Sequence, residues 1–300
     1  MTTPLDIGLI SGFIFAWAVL ALASAFRLLS FPDITVEGSV PLGAATYAAA
    51  LQAGWPLSLA VIAALAIGAI AGALTAVLHV RFHVNKLLAG IIVLSIAYTG
   101  CLRIMGGSNI GLLQYETLFD WVRPLNKMVD SPFHIGKIML LATLLVVGCG
   151  SLLAGLVSKQ GLRMRVAGAN PEYARSLGVS VPINLIAGLS ITNSLAALSG
   201  VLLANRQGFS DVGMGQGVLI LALASMAIGE RLVPNRSFSF PVYVLLAAVV
   251  GSVVYQVVVA YAVRMGVPST DLELLTAVLV LVVVARTTSQ DESEPLIGLG

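Results

Sequence analysis

Charge is scarce in this sequence. Only 10% of its 300 residues are Asp, Glu, Lys or Arg, whereas 58% are hydrophobic. A soluble globular protein has about 25% charged residues and needs a polar surface. A chain this poor in charge cannot cover itself with polar groups in water, so its composition excludes a soluble globular protein and predicts one that folds in lipid. The net charge of +2 gives no indication of nucleic acid or of a polyanionic substrate.

Residues that carry enzyme chemistry are also sparse. The two cysteines, Cys101 and Cys149, lie inside apolar runs and are interpreted as packing residues. His79 and His83 have a helical spacing that suits a metal, but no Cys or carboxylate nearby completes a site. Polar residues are scattered singly, which argues against an intramembrane enzyme. We therefore predict no catalytic, cofactor-binding or metal-binding residues and no enzyme activity of the chain itself.

Long runs of apolar residues make up most of the sequence. A helix needs about 20 mainly apolar residues to cross the hydrocarbon core of a bilayer. Nine runs approach or reach this length: 6–26, 38–53, 56–79, 87–105, 136–157, 182–204, 213–229, 238–262 and 271–286. The sequence therefore predicts an all-α polytopic membrane protein with eight or nine transmembrane helices.

The second run follows residues that interrupt helices, namely Pro32, Asp33, Glu37, Gly38, Pro41 and Gly43. Non-helical backbone at membrane depth persists only against protein or a water-filled cavity. This segment is therefore predicted to be broken or re-entrant. If it is re-entrant, eight spans remain and the N-terminus lies on the cytoplasmic side.

The distribution of Lys and Arg predicts the orientation. If the loop 158–181 is cytoplasmic and there are nine spans, ten of the 16 basic residues lie on the cytoplasmic side. These are Arg27, Arg81, Lys86, Lys159, Arg163, Arg165, Arg175, Arg231, Arg236 and Arg286. Cytoplasmic loops carry such an excess of positive charge. The N-terminus is then outside and the C-terminus inside.

The predicted organisation is a single transmembrane domain over residues 1–286 and a polar cytoplasmic tail over 287–300. A segment at about 106–135 is extracytoplasmic. No cleavable signal peptide is expected, because the extreme N-terminus has no basic residue before its apolar run. An acidic residue, Asp6, stands there instead. Gly68 and Gly72 have the GxxxG spacing that lets helices approach closely, which we interpret as packing.

A short, well-delimited helix is predicted in the loop 158–181, within the sequence GANPEYARSLGVSV. Asn170 is a good N-cap and Pro171 suits the first helical position. The negative charge of Glu172 in the first turn interacts favourably with the helix dipole. Gly178 can adopt the left-handed backbone conformation that ends a helix. A helix this short is unstable alone in water and needs something to dock against. The alternative is an ordinary cytoplasmic loop whose charges only fix the topology.

Three stretches carry a resemblance to a known family. They are FPDITVEGSVPLGAATYAA, HVNKLLAGIIVLSIAYTGCLRIMGGSN and RVAGANPEYARSLGVSV, which lie within residues 31–235. With them, the chain resembles ABC importer permeases of the branched-chain amino acid/ribose class. It is similar to the uncharacterised, tryptophan/tyrosine-type branch that is paired with lipoprotein binding proteins.

The resemblance implies the membrane subunit of an importer in the bacterial inner membrane. Its partners would be two ATPase subunits that bind ATP and Mg, a second permease copy in a homodimer or paired permease, membrane lipid and an extracytoplasmic binding lipoprotein. The sequence has no GxxxxGK[ST] phosphate-binding loop, so any ATPase must be a separate chain. The solute would be an amino acid or a similar small metabolite. The alternative is a secondary transporter or channel driven by an ion gradient.

The coupling contact with the ATPase is assigned by this resemblance to Asn170, Pro171, Glu172, Tyr173, Ala174, Arg175, Leu177 and Gly178. Tyr173 and Leu177 are expected to fill a groove on the ATPase. A charge at Ala174 is expected to uncouple ATP hydrolysis from transport without unfolding the protein.

Polar residues at membrane depth are candidates for the translocation path: Asp33, Glu37, Tyr98, Asn193, Ser194 and Gln216. Two of them have specific alternatives, in which Asp33 caps the following turn and Glu37 meets an interfacial arginine such as Arg27. For Asn193 and Ser194, hydrogen bonding between helices is the alternative that we favour slightly. Tyr98 and Thr99 have the same ambiguity. Gln216 lies among glycines that permit an irregular helix entrance.

Overall fold

A computed structural model describes residues 3–120, 134–234 and 238–268, together with residues 274 and 277. Ten α-helices are found in these ranges: α1 (Pro4–Ala23), α2 (Thr35–Gln52), α3 (Leu57–Phe82), α4 (Lys86–Met105), α5 (Ile135–Val157), α6 (Lys159–Ala169), α7 (Pro171–Ser176), α8 (Val181–Gln207), α9 (Val218–Leu232) and α10 (Phe240–Arg264). A π-helical turn, Ser24–Leu28, extends α1. Two short strands, β1 (Asn109–Gly111) and β2 (Phe209–Asp211), pair antiparallel.

Seven of the described helices are long and apolar enough to cross a membrane. They include α1 with its π-helical turn, α3, α4, α5, α8 and α10, and α9 preceded by its 3-10 turn. The prediction of an all-α polytopic membrane protein is confirmed. The ninth predicted span, 271–286, and the tail 287–300 lie almost wholly outside the described residues.

The helices cross the bundle in alternating directions. Asp6, at the start of α1, lies 2.7 Å from the ring of His134, which precedes α5. That end of the bundle also holds β1 and β2, because Arg206, just before β2, donates to the hydroxyl of Ser11 on α1 and β1 pairs with β2. We call it the β end, and we call the opposite end, which holds α6 and α7, the α7 end. The N-terminus and α7 therefore lie at opposite ends of the bundle, as the nine-span prediction requires.

The helix α2 is the centre of the fold, packed against α3, α4 and α8. It starts inside the bundle, since Gly90, one turn into α4, lies against the backbone of Ile34. It ends at Gln52, which shares a cavity at the β end with Met105 and Asn109. The re-entrant alternative is therefore wrong, because α2 continues as one helix to the β end.

The predicted interruption is confined to residues 29–34, and Glu37, Gly38, Pro41 and Gly43 lie inside α2. Pro41 has no N–H to donate to the carbonyl of Glu37, but the helix continues because other segments pack on this point. A Cβ at Gly215 would lie 2.3 Å from that carbonyl oxygen. These proline and glycine residues therefore permit close packing and do not end the helix.

Small residues allow the close contact between α3 and α8. A Cβ built on Gly68 would lie 2.5 Å from the carbonyl oxygen of Asn193, and one on Gly72 would lie 2.0 Å from that of Leu189. Both distances are shorter than any tolerated contact. The interpretation of the GxxxG pair as a packing device is confirmed, and its partner is α8.

Candidate functional site

Three of the predicted path residues meet in one cavity of about 500 Å³. It lies between α2, α4 and the irregular segment before α9, and we call it the Glu37 cavity. Glu37, Tyr98 and Gln216 all line it. Ser95 and Thr99 add hydroxyl groups on the same side of α4, while Leu94 and Pro41 add apolar surface. The cavity wall therefore combines polar and apolar groups from both helices.

The carboxylate of Glu37 is held at the beginning of α9. The backbone N–H of Gly217 donates to Glu37 Oε1 at 3.0 Å, and Gly217 itself has a φ of 77°. This left-handed residue joins the 3-10 turn Val212–Gly215 and Gln216 to α9. The irregular helix entrance predicted near Gln216 is thus observed, with Glu37 as its hydrogen-bond acceptor.

The alternative in which Glu37 pairs with Arg27 is wrong. Arg27 forms a two-point ion pair with Glu230, in which its Nε and Nη2 atoms lie 2.6 Å from the two carboxylate oxygens. This pair joins the end of α1 to the end of α9 near the α7 end of the bundle. The partner of Arg27 is therefore on α9, while Glu37 remains in the cavity.

Asp33 and Asn193 form the centre of a buried network and do not line the Glu37 cavity. Both residues are 0% exposed. Asp33 Oδ1 accepts from the N–H of Thr35 at 2.9 Å, and Asp33 Oδ2 accepts from Asn193 Nδ2 at 2.6 Å. The hydroxyl of Ser39 donates to Asn193 Oδ1 at 2.7 Å. The network caps α2 and ties it to α8.

The alternatives stated for these residues therefore fit the structure better than a place on the path. Asp33 caps the turn that follows it, and Asn193 bonds between helices. The hydroxyl of Ser194 donates to the carbonyl of Leu65 on α3 at 2.9 Å, which also links two helices. A polar side chain in lipid is most stable when a neighbouring helix supplies its partner.

The helix α7 has the local structure that the sequence predicts. Asn170 Oδ1 accepts from the N–H of Tyr173 at 3.0 Å, and Pro171 begins the helix. Gly178 ends the turn with a φ of 72°. Every residue from 170 to 178 is exposed except Ala174. Tyr173 and Leu177 are 56% and 57% exposed, so two large apolar side chains project away from the bundle.

The expectation for Ala174 needs correction. Its side chain is 0% exposed and faces the molecule, where α7 packs on α6 and α8. A charged side chain at this position would have to be buried, which is strongly unfavourable without a partner. Ala174 is therefore a residue that holds α7 to the bundle, and its substitution by Glu is expected to displace the helix.

Ser95 and Glu230 were missed by the sequence reasoning. Ser95 precedes Tyr98 and Thr99 by three and four positions, a helical spacing that places all three on one side of α4. That spacing is a signal from which Ser95 was predictable. Glu230 gave no local signal, since its partner Arg27 is 203 positions away. In residues 3–120, 134–234 and 238–268, no three His, Cys, Asp or Glu side chains form a metal-binding group.

Comparison with known proteins identifies a family of transport-system permeases and relatives with similar descriptions. Residues 5–285 match the family described as branched-chain amino acid transport system / permease component. A tyrosine transport system permease protein of Clostridioides difficile (strain R20291) is 37% identical over 264 residues, which cover 87% of this chain and 83% of that protein. An uncharacterised protein of Rickettsia prowazekii (strain Madrid E) is 28% identical over 274 residues, 91% and 94% of the two chains.

A more distant relative is the autoinducer 2 import system permease protein LsrC of Enterobacter sp. (strain 638). It is 30% identical over 217 residues, which cover 70% of this chain and 59% of that protein. No solved structure matches the chain.

The seven apolar helices and the family match together define a multi-pass membrane protein of transport systems, in bacteria of the inner membrane. The chain belongs to the family of branched-chain amino acid transport system permease components. It is accordingly a transmembrane subunit of an ABC-type importer, and its family is one of permeases and not of enzymes.

Proposed function

We propose that this chain carries an amino acid or a similar small metabolite across the membrane, driven by a separate ATPase that binds α7. Two ATPase subunits, holding ATP and Mg, would act on two permease copies. A binding lipoprotein would deliver the solute at the β end, which is then extracytoplasmic. The observation that carries the proposal is the exposed, capped helix α7 with its two projecting apolar side chains.

The exposure of α7 supports its role as the ATPase contact. It has only six residues, too few for a stable isolated helix. Its caps and the buried Ala174 fix it on the bundle, whereas Tyr173 and Leu177 are left in solvent. Large apolar side chains exposed together on a pre-formed element typically mark an interface with another protein. A cleft of about 280 Å³ beside Leu177, lined also by Arg163 and Asn184, adds a recess next to the helix.

The solute class is supported by the Glu37 cavity and by the relatives. A volume of about 500 Å³ lies within the range of cavities that hold small molecules. The hydroxyl, amide and carboxylate groups in its wall suit a small polar metabolite. The relative of Clostridioides difficile is a tyrosine transport permease, which makes tyrosine the first solute to test. The ion-gradient alternative is less well supported, since the family consists of transport systems with a permease component.

Leu177→Glu is expected to reduce recovery of the ATPase with the permease at least about tenfold, because a central apolar contact is replaced by a charge. The measurement is affinity purification of the tagged chain from native membranes in mild detergent. Copurified proteins are identified by mass spectrometry, and the ATPase is recognised by its phosphate-binding loop.

The matched control is Leu113→Glu, the same change at an exposed leucine of the β end. It should leave ATPase recovery unchanged. Equal recovery with both variants would show that α7 is not the contact. Recovery of the permease alone from the unsubstituted protein, even after cross-linking, would contradict the importer proposal as a whole.

A further inference from the structure

The lining of the Glu37 cavity contains a single charged side chain, that of Glu37. One of its carboxylate oxygens, Oε1, accepts from the N–H of Gly217 at 3.0 Å. Among the residues that the structure describes, no side chain or N–H donates to the other oxygen, Oε2. An ionised group at membrane depth is costly unless a charge or donor compensates it.

No basic residue of the described ranges lines this cavity. Arg27 is paired with Glu230, Lys86 donates to the carbonyl of Ser30, and Arg206 donates to the hydroxyl of Ser11. Each of these contacts lies outside the cavity wall. The described residues therefore supply no positive charge to Glu37, and a cationic group on a molecule in the cavity would supply it.

The remaining wall suits a small solute with a polar and an apolar part. Ser95, Thr99 and Gln216 provide hydroxyl and amide groups, whereas Leu94, Pro41 and the ring of Tyr98 provide apolar surface. An ammonium group donates up to three hydrogen bonds and accepts none, so it complements a carboxylate oxygen. An anionic solute without an ammonium group would meet only repulsion at Glu37.

We propose that Glu37 binds the protonated amino group of the transported solute and that the cavity rejects solutes with a net negative charge. This inference rests on the proposed function and names the solute class: small amines and zwitterionic amino acids. Glu37 is then a specificity-determining residue, and the N–H of Gly217 keeps its carboxylate oriented toward the solute.

The test uses two probes that differ by the amino group alone, L-tyrosine and 3-(4-hydroxyphenyl)propanoate. Each is radiolabelled and bound to the purified chain in nanodiscs, with affinity measured by scintillation proximity. L-tyrosine is expected to bind at least about tenfold more tightly, the effect of one hydrogen-bonded charge pair. Equal affinities, or binding of neither probe, would overturn the inference.

Glu37→Gln separates recognition from structure. Glutamine keeps an oxygen that accepts from Gly217 N–H, so the beginning of α9 and the melting temperature should be preserved. The preference for L-tyrosine should fall about tenfold, to near equality. Glu116→Gln, a neutralised carboxylate at an exposed position of the β end, is the matched control and should keep the preference. A preference that survives in Glu37→Gln would refute the role of Glu37, while ATPase recovery through α7 would remain a separate result.

Discussion

Asn193→Leu is expected to destabilise the protein by about 3 kcal/mol, because it removes a hydrogen-bond donor from a buried carboxylate. Asp33 Oδ2 would lose its contact of 2.6 Å, and the hydroxyl of Ser39 would lose its acceptor. Neither group can reach water, since both Asp33 and Ser39 are 0% exposed. The measurement is the thermal unfolding midpoint of the detergent-solubilised protein, followed by size-exclusion chromatography after heating.

Two neighbouring substitutions test the source of this effect. Asp33→Asn keeps an oxygen for Thr35 N–H but turns its amide NH2 toward the donor Asn193 Nδ2, so it should also destabilise the protein. Ser194→Ala, one position along α8, removes a hydroxyl that bonds only backbone carbonyls and should cost about 1 kcal/mol. If Ser194→Ala were as harmful as Asn193→Leu, the buried network would not be the source of the effect.

Gly72→Ala is the second substitution with a large expected effect. The new Cβ would lie 2.0 Å from the carbonyl oxygen of Leu189 and 2.8 Å from Asn193 Nδ2, so α3 and α8 would have to separate. Overpacking of this kind typically costs about 1–3 kcal/mol. The expected result is a lower unfolding midpoint and less folded protein in the membrane fraction.

The matched control is Gly155→Ala in α5, where a Cβ would meet no atom within 4 Å. Alanine has the higher helix propensity, so this variant should be as stable as the unsubstituted protein or more stable by up to about 1 kcal/mol. Equal loss of stability in Gly72→Ala and Gly155→Ala would indicate a general cost of changing glycines. It would thereby contradict the close approach of α3 and α8.

The features that depend on near neighbours in sequence were predictable. The N-cap Asn170 and the stop Gly178 act within one or two helical turns, so their signals lie in a stretch of nine residues. Apolar run length likewise identified the membrane helices. The burial of Ala174 was not predictable, because it depends on how α6 and α8 approach α7, which no local pattern encodes.

The site was predictable only in part, for the same reason. Glu37, Tyr98 and Gln216 were identified as polar residues at membrane depth, but their meeting in one cavity depends on three separated segments. Asp33 and Asn193 gave the same signal and belong to a structural network instead. Residue type at membrane depth marks a polar group that needs a partner, and only the packing decides whether that partner is a helix or a solute.

The arrangement of α2 constrains how the chain is made. Asp33 accepts a hydrogen bond from Asn193, which lies 160 positions later in the chain. At about 5–20 residues per second, the ribosome needs about 10–30 s to synthesise that intervening stretch. During this interval Asp33, the carboxylate that precedes α2, has no final partner on α8. Until α8 emerges, Asp33 lacks the hydrogen bond that the finished fold gives it, so slow synthesis between α4 and α8 would prolong the period in which the nascent chain is open to proteolysis.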